Sequence, residues 1–399
     1  MTEPRESFAS PRLWLAFVTM ALVSGIGNTF PVFFPPLLAE FQASRAATAS
    51  TVSVFWLVGA ALSPLAGQML DRLGPRTIVV AGLSATALGL LGGALAPSLP
   101  LFVASVGVGG GIGVGCTGMV TQAAVIASEY VRRRGFATGI AFSGSMAGYV
   151  LAGPAQWAIS LLGWRVTLGC YVGLVLLLVP AVAAVYPRRR APAAERAAPG
   201  AAVWPLLRSF PFWALAFVFS MAPLVGYLAT TQHALYFAAL GFPAAEAAAM
   251  LTVGGLLSTS GRALVGLAAD RFGAPASGLV VLSMSLLGTL ALVGLEFHPG
   301  RLLAWTYVAL VFLPLGTRAV VVALLVPRLA PPSRFGAVFG VLVLLNSAGA
   351  AAGPFASGAL YDLTGSYLAI YATAATLIAL GLAALVAFLL ATGPRGRTG

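Results

Sequence analysis

The sequence predicts an all-α integral membrane protein of twelve transmembrane helices arranged as two pseudo-symmetric six-helix bundles. Three observations carry that expectation. Of 399 residues, 59% are hydrophobic and only 8% are charged, whereas roughly 25% of a soluble globular domain is charged. The apolar residues fall into long runs, each near the roughly 20 residues that a helix needs to cross a bilayer. Polar landmarks of the first half recur in the second at a near-constant offset, Asp71 and Asp270 lying 199 positions apart.

The charged start, with Glu3, Arg5, Glu6 and Arg12, precedes an apolar run too long for the core of a cleavable signal, so it reads as a retained first span. Spans are expected near residues 13–38, 47–70, 77–96, 101–128, 136–160, 165–186, 210–237, 245–269, 275–295, 302–327, 335–360 and 367–391. Helix is the default because lipid satisfies no open backbone group, and runs this long lack the alternation of barrel strands. The many glycines and prolines suit packing and bending inside a bundle. Gly109-Gly110-Gly111 reads as close helix packing rather than a phosphate cradle, because no strand precedes it.

Basic residues accumulate on the cytoplasmic side of membrane proteins. An N-terminus inside puts 17 of the 22 arginines there, leaving Arg45, Arg165 and Arg301 outside and Arg262 and Arg318 within spans. Both termini are therefore expected in the cytoplasm of a multi-pass protein of the cell inner membrane. Trp14, Trp204 and Trp213 at inner ends and Trp164 and Trp305 at outer ends fit interfacial anchoring. The polar stretch 187–208, with Arg188-Arg189-Arg190, reads as a cytoplasmic linker dividing a bundle over 1–186 from a second over 209–399.

Composition also excludes functions. The net charge of +12 is scattered between apolar runs, which does not describe a nucleic-acid-binding surface. All basic residues are arginine, so a Schiff-base or P-loop lysine is absent. Cys116 and Cys170 fall within apolar runs and predict no disulfide. No catalytic residue, cofactor or metal set is expected. An intramembrane protease built on Ser145 would need a histidine beside it, and His233 belongs to the other half.

The halves repeat in detail. Arg134-Gly135-Phe136-Ala137 and Gly153-Pro154 are mirrored by Arg334-Phe335-Gly336-Ala337 and Gly353-Pro354, offset by 200. Such parallel repeats recur in transporters that bind substrate near the midplane. Between spans two and three stands Gly67-x-x-x-Asp71-Arg72-x-Gly74-x-Arg76, echoed by Gly266, Asp270, Arg271 and Gly273. This pattern resembles the signature loop of the major facilitator superfamily, and the resemblance covers nearly the whole chain. It implies rocking of two bundles about a central site, with Gly67, Asp71, Arg72, Gly74, Arg76, Asp270 and Arg271 as a latch at the cytoplasmic gate.

Further stretches resemble the monocarboxylate-transporter and oxalate/formate-exchanger branch: Phe33-Phe34-Pro35-Pro36 after span one, Gln232-His233-Ala234-Leu235-Tyr236 in span seven, and Arg262-Ala263-Leu264-Val265-Gly266-Leu267 in span eight. In that branch the arginine corresponding to Arg262 is associated with holding the substrate carboxylate. The chain has Ser258 where the branch typically has an acid four positions earlier, and no span-one lysine.

A charge inside the bilayer costs several kcal/mol and usually faces a cavity. Arg262 and Arg318 lie at similar depth, about 25 Å from the outer ends at 1.5 Å per residue, and all ten acidic residues are at span ends or in loops. A guanidinium fork matches a carboxylate bidentately, so both are candidate anion ligands, with interhelical pairing or snorkelling as the alternative. Two such groups hint at a dianion, while a monocarboxylate held by one remains open. At the position 200 residues before Arg318 stands Gly118. Asn28, Gln122, Tyr227, His233 and Asn346 are candidate cavity-lining residues. His233 is also the candidate for coupling to a proton, a counter-transported anion being the other partner considered. The expected function is secondary active or facilitative transport of small organic anions. The alternatives are export of hydrophobic compounds, suggested by Gly144, Gly148, Gly153 and Pro154 in span five, and a non-transporting receptor or scaffold.

Overall fold

The computed structural model describes residues 10–127, 129–130, 134–188, 204–329 and 335–393. Among these, all regular structure is helical. Among the described residues ten helices are long and apolar enough to cross a membrane. One of them, Ala137–Val185, bends at Gly163 and so holds spans five and six. Span ten runs in pieces through Arg301–Tyr307, Val308–Phe312 and Arg318–Leu325, which completes the expected twelve.

The chain forms two compact units. One comprises Met1–Ala194 with Phe237–Leu256, the other Glu195–Tyr236 with Leu257–Gly399. Residues 189–203 of the expected linker lie outside the described residues.

In the first unit, spans two and three form one run, Arg45–Ala94, interrupted at Gly74 with φ 78°. In the second half of the chain, Ala244–Phe272 and Ala274–Leu295 are separated by Gly273 with φ 85°. These two glycines are 199 positions apart, and each turns the chain in a left-handed conformation that a β-carbon disfavours. The internal repeat therefore fixes backbone geometry as well as residue type.

The repeat also extends to irregularities that the apolar pattern does not reveal. Span four is a helix Leu99–Phe102, a π-helical segment Val103–Val108 and a helix Gly109–Thr117, then an extended residue Gly118 and a fresh helix Met119–Ala127. Span ten has its own π segment, Val308–Phe312, then the turns 313–317 with Gly316 at φ 78°, and a fresh helix from Arg318. The restarts at Met119 and Arg318 are again 199 apart. Continuous spans over 101–128 and 302–327 are thus corrected to broken ones. In span ten, Pro314 has no N–H to continue the ladder, and Gly316 takes a non-helical φ.

Spans one and seven break too. Pro11–Asn28 gives way to Phe30–Phe41 at Thr29, whose hydroxyl donates to the Gly25 carbonyl at 2.7 Å. Phe210–Thr230 gives way to His233–Ala239 after a two-residue turn.

Within the first unit, Gly144 and Gly148 of span five lie against the backbone of span one at Phe17 and Gly25, and the run Gly109–Gly111 lies against spans two and three. These are packing roles. Trp14 and Trp213 are exposed as interfacial anchors should be, and the Trp204 side chain lies outside the described residues. Trp164 departs from that expectation: it is buried and donates its indole N–H to Glu40 at 2.6 Å. Arg165 beside it donates to the same carboxylate and to the carbonyls of Ala94 and Ala96. One ion pair thus ties spans one, three and six together. Cys116 and Cys170 are free thiols.

Candidate substrate-binding site

In the second unit, spans seven and eight meet the break in span ten, and span eleven packs on span seven. A β-carbon built on Gly261 would land on the carbonyl oxygen of Leu313, the first residue of the break. Only glycine allows this crossing of spans eight and ten. A β-carbon on Gly226 of span seven would meet Leu315 at 3.2 Å, and one on Gly353 of span eleven would meet Tyr227 at 2.7 Å. Arg262 is thereby placed one residue after the contact with the break, and Arg318 five residues beyond Leu313.

Arg318 is only 8% exposed. Its Nε is buried with no hydrogen-bond partner, and among the described residues no carboxylate pairs with it. Arg262 is half-buried. Arg318 is the first residue of its helix, and Cα–Cβ bonds tilt toward the N-terminus, so its stem leans over the break. The amides of residues 318, 319 and 320 have no acceptor within their own helix, whose first bond runs from the Val321 N–H to the Thr317 carbonyl at 3.3 Å. Thr317 does not cap them, since its hydroxyl donates to the Pro314 carbonyl at 2.8 Å. A buried cation and the positive end of a helix therefore meet without a compensating anion among the described residues.

The other expected lining residues are engaged in holding the broken spans. Asn28 donates to the Ser145 carbonyl at 2.8 Å, Gln122 to the Thr117 carbonyl at 3.0 Å, and Asn346 to the Phe219 carbonyl at 2.7 Å. Tyr186 completes the Gln122 amide by donating to Oε1 at 2.7 Å. In the second unit the Gln232 amide donates to the Ser357 carbonyl, and His233 Nδ1 lies 3.3 Å from the Tyr307 hydroxyl. Tyr227 is half-buried beside span eleven. Sequence reasoning did not single out Gly261, Tyr186, Tyr307 or Ser357; only the position of Gly261 immediately before Arg262 offered a signal.

Of the loop signature, Gly74 makes the turn, Arg72 and Arg271 are exposed, and the Arg76 amide donates to the Pro187 carbonyl at 3.4 Å. The Arg271 guanidinium lies 5.6 Å from the Phe272 ring centre. Gly67 and the side chains of Asp71 and Asp270 lie outside what the structure describes.

Residues 13–326 match the Major Facilitator Superfamily. Monocarboxylate transporter 13 of Bos taurus is 30% identical over 374 residues, covering 93% of this chain and 87% of that protein. Monocarboxylate transporter 11 of Mus musculus is 29% identical over 380 residues, covering 92% and 84%. Among solved structures, the nucleoside transporter NupG (D323A mutant) superposes with a TM-score of 0.78 at 13% identity, covering 95% of this chain and all of that one; this likeness concerns the fold alone. Broken apolar spans, an internal repeat and these relatives describe a multi-pass membrane transporter rather than an enzyme, and the chain belongs to the major facilitator superfamily.

Proposed function

We propose that this transporter carries small organic anions, mono- or dicarboxylates, by alternating access of two six-helix bundles, residues 1–186 and 209–399, joined by the linker 187–208. The observation that carries this reading is Arg318, a buried cation without a carboxylate partner among the described residues, at the break that also receives the Gly261–Arg262 segment of span eight. Buried charge at such depth is expensive unless it serves a polar ligand, and a carboxylate is what a guanidinium fork fits best. The relatives named monocarboxylate transporters support the same class.

In this reading Arg262 and Arg318 hold the anion, with Tyr227 and His233 on span seven beside them. Asn28 and Gln122 keep spans one and four in shape, and Asn346 holds span eleven to span seven. Gly67, Asp71, Arg72, Gly74 and Arg76, with Asp270 and Arg271, act as the latch on the cytoplasmic side, where the arginine asymmetry also puts both termini. A proton or a counter-transported anion is the coupling partner, and the cell inner membrane is the location. Uptake of radiolabelled lactate and oxalate into proteoliposomes, compared between wild type and Arg262→Ala, tests the assignment. A loss of about tenfold or more, the size of one charge-assisted contact, is expected, and undiminished uptake would remove the carboxylate site. Export of hydrophobic compounds, the alternative, predicts that carboxylates are not transported at all.

A further inference from the structure

We propose that the restart of span ten is an oxyanion subsite, formed by the Arg318 guanidinium and the uncapped N-terminus of its helix, that takes the second carboxylate of a short dicarboxylate. This rests on the organic-anion reading above and narrows it to dianions that bridge Arg262 and the restarted helix.

Four observations converge. The helix Arg318–Leu325 begins without a side-chain cap, so its first amides point at whatever occupies the break. Arg318 is 8% exposed, its Nε has no partner, and it stands at the positive end of its own helix, so the two positive features raise each other's demand for an anion. The Gly261–Leu313 crossing brings the segment bearing Arg262 against the same break.

The fourth observation is the contrast with the first unit. There the helix restarting at Met119 follows a break whose free Thr117 carbonyl receives the Gln122 amide, itself completed by Tyr186. That break is neutral and closed by side chains. Its counterpart, 199 positions later, carries a cation instead. Both spans carry a π segment and a restarted helix, and the restarts differ in what finishes them: side chains in one, a ligand in the other.

The test is equilibrium binding to the purified full chain at neutral pH, using oxalate, malonate and succinate against acetate and lactate. At least one dicarboxylate is expected to bind about tenfold or more tighter than either monocarboxylate. Arg318→Gln should weaken dicarboxylates about tenfold more than monocarboxylates and so abolish that preference, whereas Arg262→Gln should weaken both classes. If Arg318→Gln does not fold, Arg318→Lys serves, since it keeps the charge but not the fork; a several-fold smaller preference is expected. A preference unchanged in these variants, or absent from a wild type that binds monocarboxylates, overturns the subsite. A wild type that binds neither class overturns the organic-anion reading itself.

Discussion

Replacing Arg318 by methionine is expected to stabilise the ligand-free transporter while weakening its response to dicarboxylates, a combination that a structural arginine would not produce. The guanidinium is almost wholly buried, its Nε makes no hydrogen bond, and no carboxylate among the described residues offsets its charge. Desolvating an ion costs several kcal/mol after relaxation, and exchanging buried ionic groups for apolar ones of similar volume often stabilises by about 1–4 kcal/mol. Relief of the repulsion with the helix N-terminus adds roughly 0.3–1 kcal/mol. Methionine keeps an unbranched stem and a helix propensity close to that of arginine, so little packing is lost in exchange. In wild type, a ligand present at 100 times its dissociation constant raises stability by about 2.7 kcal/mol. The assay is thermal unfolding of both proteins in detergent, with and without a saturating dicarboxylate. Arg318→Met should unfold above wild type when both are empty, and should show a smaller rise than wild type at the same dicarboxylate concentration. A variant that unfolds below empty wild type would mean that the guanidinium holds the structure together, and the reasoning about an uncompensated charge would be wrong.

Two further outcomes follow from particular contacts. Gly261→Ala should destabilise by about 1–3 kcal/mol through overpacking against the Leu313 carbonyl, whereas Gly266→Ala on the same helix, where an added β-carbon meets no described atom, should stabilise by about 0.5–1 kcal/mol; equal melting shifts for the two would refute the crossing. Glu296 caps span nine with one buried oxygen that lacks a hydrogen bond, near the tyrosines 236 and 371, and burial pushes its carboxyl above the ordinary range. The unfolded chain ionises first as pH rises past about 4.3, so wild type loses stability above that point while Glu296→Gln does not. The variant should melt higher at neutral pH and converge with wild type below about pH 4, which a pH series of melting curves checks.

The number of spans, the repeat and the two intramembrane arginines were legible because each depends on composition along the chain. The breaks were not. Val103–Val108 and Val308–Phe312 are as apolar as their flanks, so a π-helical turn leaves no trace in hydropathy, and only Gly118, Pro314 and Gly316 hinted at irregular backbone. The amides of Asn28, Gln122 and Asn346, expected to line a cavity, donate to the carbonyls of Ser145, Thr117 and Phe219. Two of those acceptors belong to another span, more than a hundred positions away. Trp164 was misread because an aromatic at a span end looks the same whether it faces headgroups or, as here, the Glu40 carboxylate.

The Arg318 charge also bears on which half of a transport cycle feels the membrane voltage. A seated anion cancels charge at the restart of span ten, so on the proposed reading the loaded carrier reorients with little net displacement of charge. The empty carrier reorients with its guanidinium uncancelled, and an elementary charge moved through the full field is worth about 2.3 kcal/mol per 100 mV. Voltage would then act on the return of the unloaded protein rather than on the passage of cargo, and the charges of the anion site would set the electrical character of the whole cycle.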